Sequence, residues 1–231
     1  AEKERLYLRK SNVRKIVVAG EPGGSVPGTK DRIESLWNAK IYDHTGATEI
    51  GAHGLTCLGQ CGVHLNEGEF LIEVMDPATL KPVDEGELVI TNLDRIGSPV
   101  LRYRTGDHIR MNRETCECGR TFVRMEGGII GRIDQMLIVR GVNIFPSSLE
   151  SIVRSFPSVQ EFRVIVENVQ MMDEISIKIE VAGDNPEEVV QAIERKTAHR
   201  LGLRVGVELA TEPLPRFEMK AARVVDRRVR Q

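Results

Sequence analysis

The feature that most constrains the fold is an alternation of strand and helix patterns in the second half of the chain. Residues 159–168 and 174–183 place apolar side chains at alternate positions, which is the pattern of half-buried strands. Helical patterns flank this pair, and each carries a proline near its start. The elements in chain order are a strand at 135–141, a helix at 146–156, the two strands, a helix at 185–203 and a strand at 204–211. This order, β-α-β-β-α-β, predicts a small ferredoxin-like domain.

The first half of the chain has a different pattern, which is rich in strands and loops from Lys15 to about Met125. Residues 15–20 (KIVVAG) form a short β-branched run that ends in glycine, and a helix is expected over 29–37. Further strands are expected over 39–51, 68–77, 86–93 and 99–111. The boundary is predicted near residues 131–134, which divides the chain into 1–133 and 134–231. The predicted fold class is therefore mixed, α/β and α+β.

Composition favours a soluble globular protein over several other classes. Hydrophobic residues make up 41% of the 231 residues and charged residues 29%, with a formal net charge of −2. This balance gives no electrostatic case for nucleic acid or a membrane surface as a partner. No apolar run approaches the roughly 18 residues of a membrane span. The N-terminal residues are charged and lack the apolar stretch of a secretory signal, so we expect a cytoplasmic protein.

Two segments of the first half carry groups suited to a nucleotide. Residues 19–24 (AGEPGG) follow a strand, and their glycines allow the backbone to approach a ligand closely, although a plain turn explains them as simply. In YDHTGATEIG (42–51), Thr45 and Thr48 offer hydroxyls to phosphate oxygens, and Glu49 offers a hard oxygen to magnesium. A polar loop at a strand end is the alternative for the second segment.

Three later segments add an acid and two cations. YRTGD (103–107) places the Asp107 carboxylate after a strand, where it suits the two hydroxyls of a ribose, or simply caps a turn. Arg132 lies at the predicted boundary, where a hinge is expected, and suits phosphate or ribose. Lys220 follows the last strand, and its compact cation suits charge that develops on a phosphoryl group. Either cation alone would be an ordinary surface residue.

The four cysteines are too few for a disulfide scaffold at this length, and their short spacings suggest a metal site. Cys116 and Cys118 form a tight pair, and Cys57 lies upstream with either Cys61 or His64. Four thiolate and imidazole ligands suit tetrahedral zinc in a closed, structural site. The alternative is a set of reduced cysteines that pack as small apolar groups.

Taken in order, these segments resemble the adenylate-forming superfamily, and most of all its phenylacetate-CoA ligase type. The matching series is AGEP, then YDHTGATE, then YRTGD, then GRIDQMLIVRGVNIFP, then KAAR. The resemblance extends from about Val17 to Asp226. It implies that 1–133 is the C-terminal portion of a large AMP-binding domain with a zinc subsite. It further implies that 134–231 is the small, mobile C-terminal domain with the catalytic lysine.

The resemblance also implies roles for single residues around the adenylate. Glu21 and Pro22 would border the adenine pocket. Tyr42, Asp43 and Thr45 would belong to the same nucleotide site. Thr45 stands where many relatives have an aromatic residue that stacks on adenine, with Tyr42 and His44 as neighbours in the sequence.

Other residues would handle the phosphate, the ribose and the change between half-reactions. Thr48 would contact the α-phosphate and Glu49 would hold magnesium, while Asp107 would bind the ribose hydroxyls near Arg132. Lys220 would stabilise charge during adenylation. The set is completed by Asp134 as the hinge and Gly141 at the thiolation face.

For the metal, the resemblance implies a set of four ligands. These are Cys57, His64, Cys116 and Cys118, with Cys61 as a substitute for His64 and His53 as a further spare.

The expected reaction is ATP-dependent ligation of an aryl or arylacetic acid, such as phenylacetate, to coenzyme A through an acyl-adenylate. Its cofactors would be ATP and AMP, Mg²⁺, coenzyme A and a structural Zn²⁺, and its partners the carboxylic acid and coenzyme A. A homodimer stays open. The alternatives are transfer to a carrier-protein thiol or an amine, and a non-catalytic fragment completed by a separate N-terminal half. The last is motivated by the lack of any segment that resembles the family's Ser/Thr/Gly-rich phosphate loop.

Overall fold

The structure is a computed structural model that describes residues 7–20, 24–169, 172–216 and 223–228. The chain divides into two compact units, residues 1–134 and 135–231, one residue beyond the predicted boundary. None of the helices in the described part of the chain combines the length and apolar character that a membrane-spanning helix needs.

In its described residues, the first unit is built on one sheet of eight strands with one α-helix. Its elements are β1 (Lys15–Ala19), α1 (Pro27–Trp37), β2 (Lys40–Ala47), β3 (Gly51–Thr56), β4 (Val63–Leu65), β5 (Phe70–Met75), β6 (Glu85–Asn92), β7 (Tyr103–Asn112) and β8 (Arg124–Arg132). The strand order is β1-β2-β3-β4-β8-β7-β6-β5, in which β1 and β2 are parallel and all other pairs antiparallel. Short 3₁₀ helices lie at Leu8–Lys10 and Ile133–Gln135.

The apolar core of this unit lies under the strands that follow β2. Its buried members are Ile50, Val63, Leu65, Phe70, Val74, Leu88, Ile90, Ile109, Met111, Val123 and Met125. Within the described residues, α1 has no fully buried side chain. The edge formed by β1, α1 and the start of β2 therefore depends more on hydrogen bonds than the rest of the sheet does.

The second unit packs two helices against a four-stranded sheet. Its elements are β9 (Leu137–Val139), β10 (Val142–Ile144), α2 (Pro146–Arg154), β11 (Val159–Val169), β12 (Met172–Val181), α3 (Pro186–Leu201), β13 (Gly206–Leu209) and β14 (Val224–Asp226). The sheet order is β13-β12-β11-β14, with β11 and β12 antiparallel and each outer pair parallel. Seventeen buried residues, among them Leu149, Phe162 and Ile193, form one continuous core.

The predicted mixed fold class is confirmed, and the order β-α-β-β-α-β is present along the second unit. Its first strand, β9, pairs with β10 in a separate hairpin, and β14 occupies the sheet position beside β11. The hairpin turn explains this difference, because Arg140 and Gly141 both have positive φ (51° and 78°). Such a pair turns the chain back on itself in a two-residue connection.

Candidate nucleotide site and metal cluster

An acidic and basic cluster forms where β7 and β8 pair. Asp107 and Arg132 lie opposite each other in the register, with Arg132 Nη1 at 3.3 Å from Asp107 Oδ1. The same guanidinium donates to the Thr105 carbonyl (2.7 Å) and to Asp134 Oδ1 (3.2 Å from Nε). Gly106 makes this approach feasible, because a Cβ there would lie 2.9 Å from Arg132 Nη2.

The Asp107 side chain is 15% exposed. Burial raises the pKa of this carboxyl, and the Arg132 guanidinium and the Thr105 hydroxyl offset part of the rise. The cation beside it therefore keeps a partly buried carboxylate ready to accept hydrogen bonds from hydroxyl groups. The backbone is fixed by Thr105, whose hydroxyl accepts from the Asp107 amide and donates to the Leu88 carbonyl.

The second candidate region is strand β2 with the turn that follows it. Tyr42 and His44 are half-buried, whereas Asp43 and Thr45, on the opposite face, are 8% and 6% exposed. A Cβ at Gly54 would collide with the Thr45 hydroxyl, so this glycine makes room for it.

The Asp43 carboxylate is hydrogen-bonded to another residue of the first unit. Its Oδ2 accepts a 2.5 Å hydrogen bond from the hydroxyl of Ser25, which directly follows the glycine-rich segment. Burial raises the pKa of Asp43, and the hydrogen bond from Ser25 acts against that rise. Gly24 and Gly128 permit the close packing, because a Cβ at either would fall 2.9 Å or less from Asp43 or Ser25. Asp43 thus anchors the segment before α1 to β2.

The remaining predicted nucleotide residues occupy several places. Thr48 and Glu49 are exposed in the turn between β2 and β3. Gly141 is exposed at the tip of the β9–β10 hairpin in the second unit. Glu21, Pro22 and Lys220 lie outside the described residues. Within the first unit, β2 and the Asp107–Arg132 pair belong to the same sheet and are separated by β3 and β4.

The predicted metal residues converge from three elements. Cys57 directly follows β3, His64 lies in β4, and Cys116 and Cys118 lie in the loop between β7 and β8. The ligand atoms of these four residues all lie within 4.8 Å of one another. The sequence places them up to 61 positions apart, so the antiparallel pairing of β3, β4, β8 and β7 brings them together.

Two distances within this group match the edges of a tetrahedron around zinc. Zinc–sulfur bonds of about 2.3 Å and zinc–nitrogen bonds of about 2.0 Å imply edges of roughly 3.8 Å between sulfurs and roughly 3.5 Å between sulfur and nitrogen. Cys57 Sγ lies 3.7 Å from Cys116 Sγ, and Cys118 Sγ lies 3.6 Å from His64 Nε2. These two contacts are opposite edges of the expected tetrahedron.

Neighbouring backbone groups orient the cluster. His64 Nδ1 lies 3.1 Å from the Phe122 carbonyl, so with the proton on Nδ1 the ring presents the Nε2 lone pair to the cluster. The Cys118 amide donates to Cys116 Sγ at 3.4 Å. Burial raises the pKa of the Cys57 thiol, but polar contacts with Cys61, His64 and Cys116 bring it down to about 6. The neighbouring sulfurs instead raise the pKa of the Cys116 and Cys118 thiols. Of these three cysteines, Cys57 therefore favours the thiolate, which is the form that binds a metal.

Cys61 is a fifth donor, with its Sγ 3.6 Å from Cys57 Sγ. It lies at the end of the segment 57–62, which we call the metal loop. The predicted spare His53 is 2% exposed, packs its ring edge against Phe70 and does not belong to the group of four.

Comparisons with known proteins show the family to which the chain belongs. Residues 141–228 match the family model described as the AMP-binding enzyme C-terminal domain. Phenylacetate-coenzyme A ligase of Thermus thermophilus is 38% identical over 217 residues, covering 83% of this chain and 48% of the relative. The enzyme of the same name from Escherichia coli is 32% identical, covering 89% and 50%. The chain belongs to the adenylate-forming superfamily, and within it to the phenylacetate-CoA ligase type. It spans about half the length of the curated relatives it matches.

A solved relative extends the likeness of this family member to three dimensions. The structure of 2-hydroxyisobutyryl-CoA ligase in the postadenylation state, in complex with R3-HIB-AMP, superposes with a TM-score of 0.88 at 31% identity. The match covers 97% of this chain and 51% of the other.

Two contacts of the site could not be read from the sequence. They are the hydrogen bond from Ser25 to Asp43 and a bridge from Gln60 in the metal loop to Glu34 and Ile41. Each joins residues 18 or more positions apart through a single polar side chain, and such a contact leaves no periodic signal in the sequence.

Proposed function

We propose that the chain forms part of an AMP-forming carboxylate–CoA ligase and contributes its ribose and phosphate contacts. In the first half-reaction a carboxylate oxygen attacks the α-phosphorus of ATP and pyrophosphate leaves. In the second, the coenzyme A thiol attacks the acyl carbon and AMP leaves. The observation that carries the proposal is the partly buried Asp107 carboxylate held beside Arg132, in a chain similar to phenylacetate-coenzyme A ligases.

The roles follow from the chemistry of each group. Asp107 accepts hydrogen bonds from the two ribose hydroxyls, and the remaining N–H groups of Arg132 are available to ribose or phosphate oxygens. The exposed Thr48 hydroxyl contacts the α-phosphate. Lys220 neutralises charge on the phosphoryl oxygens during adenylation.

Other predicted residues act at the borders of the site. Tyr42 faces the nucleotide, whereas Asp43 and Thr45 shape the same strand from its buried face. Asp134, bound to Arg132 at the boundary between the units, is the proposed hinge. Gly141 contributes to the thiolation face, with Glu21 and Pro22 at the adenine.

Magnesium fits the site through Glu49. Mg²⁺ is usually held by one or two carboxylates together with substrate phosphates and water. Glu49 offers an exposed carboxylate in the turn next to Thr48, where a phosphate would bring its own oxygens. When bound, the ion neutralises charge on the phosphates, and Glu49 fixes its position.

Zinc fits the cluster of Cys57, His64, Cys116 and Cys118. The donor set, the two tetrahedral edges and the oriented imidazole all suit four-coordinate zinc. Because four protein ligands leave no position for substrate, the ion would be structural. About one equivalent of zinc in protein purified without chelator is expected; less than about half would contradict the site.

A second candidate concerns the acid. The relative that superposes with a TM-score of 0.88 is named for 2-hydroxyisobutyryl-CoA, so a short hydroxy acid competes with an aryl or arylacetic acid as the substrate. Coenzyme A remains the proposed acceptor, and product formation that depends on it distinguishes it from a carrier thiol or an amine. The cytoplasmic location and the homodimer stay predictions.

The test is exchange of labelled pyrophosphate into ATP by the intact gene product that contains this sequence. Phenylacetate, benzoate and 2-hydroxyisobutyrate are supplied one at a time. We expect exchange with one of them and its loss, by at least about a hundredfold, in Lys220→Ala. Exchange that is independent of every acid would contradict the ligase.

A further inference from the structure

Strand β2 loses its neighbour part-way along its length. Its pairing with β3 extends from Ala47 back to His44 and Leu55, and soon after Leu55 the chain leaves the sheet to form the metal loop. Among the described strands, the earlier part of β2, from Lys40 to Asp43, therefore pairs with β1 alone. Its other edge presents backbone amides and carbonyls that need partners, because unpaired buried groups are costly.

Side chains take over the missing ladder at Ile41, which is 1% exposed. Its amide donates to Glu34 Oε1 at 2.9 Å, and its carbonyl accepts from Gln60 Nε2 at 2.7 Å. The Gln60 amide also donates to Glu34 Oε1 at 2.9 Å, which closes the arrangement. One residue of α1 and one of the metal loop thus hold the strand where β3 does not.

Gln60 is held in place by the cluster. It lies between Cys57 and Cys61, and its backbone amide donates a hydrogen bond to the Cys57 carbonyl at 3.0 Å. Its φ of 54° is unusual for a residue with a side chain. A residue in the left-handed region persists where its surroundings fix it. Ligation of Cys57 would fix this turn and so the direction of the Gln60 side chain.

We propose that Gln60 is a positioning residue that couples the metal to the nucleotide segment: metal binding fixes the loop, Gln60 braces Ile41, and β2 holds Tyr42 to Glu49 in place. This inference rests on the proposed zinc site and goes beyond it. If this coupling holds, removing the metal and removing the Gln60 side-chain amide should loosen β2 in the same way.

The primary experiment measures hydrogen exchange of the Ile41 amide in the purified chain. Three states are compared with the zinc-bound chain: zinc removed by chelator, Gln60→Ala, and Glu34→Ala, which removes the acceptor directly. Leu58→Ala is the matched control, because Leu58 lies in the same loop and is 76% exposed. Zinc content is measured on every sample.

We expect Ile41 to exchange about tenfold faster in all three states, in line with the loss of one or two net hydrogen bonds. Gln60→Ala should retain its zinc, and Leu58→Ala should match the unaltered chain. Unchanged exchange at Ile41 after complete loss of zinc would overturn the coupling while leaving the zinc site intact. A chain that never binds zinc would overturn both, and its zinc content alone would reveal that outcome.

A second readout separates positioning from general stability. In pyrophosphate exchange by the intact gene product, Gln60→Ala should raise KM for ATP about fivefold, with kcat and the melting temperature nearly unchanged. A lower melting temperature together with a lower kcat, with KM unaltered, would make Gln60 a purely structural residue and overturn the proposal.

Discussion

The two units of the chain are stabilised in contrasting ways. The second unit closes one continuous apolar core between two helices and a sheet, with Leu149 and Phe162 at its centre. The first unit keeps its apolar core under β4 to β8, and holds its β1–β2 edge with polar contacts such as Ser25 to Asp43 and Gln60 to Ile41. Of the predicted nucleotide residues, Tyr42, Asp43 and Thr45 lie on this hydrogen-bonded edge, whereas Asp107 and Arg132 lie on β7 and β8 beside the apolar core.

The largest expected effect is that of removing the metal, which should destabilise the first unit and leave the second unchanged. A structural zinc contributes its binding free energy to folding, so its removal should cost the first unit several kcal/mol. In calorimetry of the chain, a chelator should lower the first unit's transition by roughly 10 °C or more. The second unit's transition should stay in place. A single transition unaffected by the chelator would contradict the contrast.

The next largest effect concerns Glu161, a buried carboxylate of the second unit. Glu161 is 5% exposed and accepts a 2.9 Å hydrogen bond from Arg223 Nε, with Arg154 and Arg216 within 4.0 Å. Arg154 and Arg223 both keep Glu150 as a partner, so Glu161→Ala should cost about 1.5–3 kcal/mol by urea unfolding. Glu174→Ala, which removes an exposed partner of Arg140, is the control and should cost less than about 1 kcal/mol.

A smaller effect tests the polar edge of the first unit. Gly128 has a φ of 74°, and a Cβ there would lie 2.6 Å from the Ser25 hydroxyl. Gly128→Ala should therefore destabilise the first unit by about 1–3 kcal/mol and loosen the hydrogen bond from Ser25 to Asp43. Gly127→Ala, at a φ of 71° with open space around it, shows the backbone cost alone. Equal costs at the two glycines would mean that Ser25 matters little.

The smallest effect is the pH dependence of the second unit. Burial tends to raise the pKa of Glu161, but Arg223 and the Phe162 amide outweigh it and lower the pKa below its ordinary 4.5. The stabilisation is therefore present above pH 4.5 and declines as the pH falls through the lowered value. The difference in unfolding free energy between the unaltered chain and Glu161→Gln should shrink from pH 6 to pH 3. A constant difference would mean that the charge of Glu161 contributes nothing.

Much of the architecture could be predicted, because local periodicity encodes it. The alternation in β11 and β12 and the helical pattern of α3 were sufficient to place all three elements. β4 was missed because three residues carry no periodic signal, and β8 because its glycines obscure the alternation. The β9–β10 hairpin was missed because arginine, at position 140, is not a residue typical of a two-residue turn.

Site residues with distinctive chemistry could be predicted from the sequence, whereas those without it could not. Spacing predicted Cys57, Cys116 and Cys118 with either Cys61 or His64, and the resemblance to the family favoured His64; these four residues converge within 4.8 Å. Asp107 and Arg132 were predicted as neighbours, and they pair across β7 and β8. The Gln60 bridge could not be predicted, because glutamine in a loop carries no distinctive chemistry until the fold places it beside Ile41.

The central claim is that the Asp107 carboxylate binds the ribose of an adenylate. The most direct measurement is acid-dependent exchange of pyrophosphate into ATP by the intact gene product, with Asp107→Asn compared with the exposed control Asp94→Asn. The amide keeps the shape of the side chain but loses the charge that accepts both hydroxyls, so kcat/KM for ATP should fall by about a hundredfold or more. Asp94→Asn should leave it unchanged. Full exchange by folded Asp107→Asn would contradict the account.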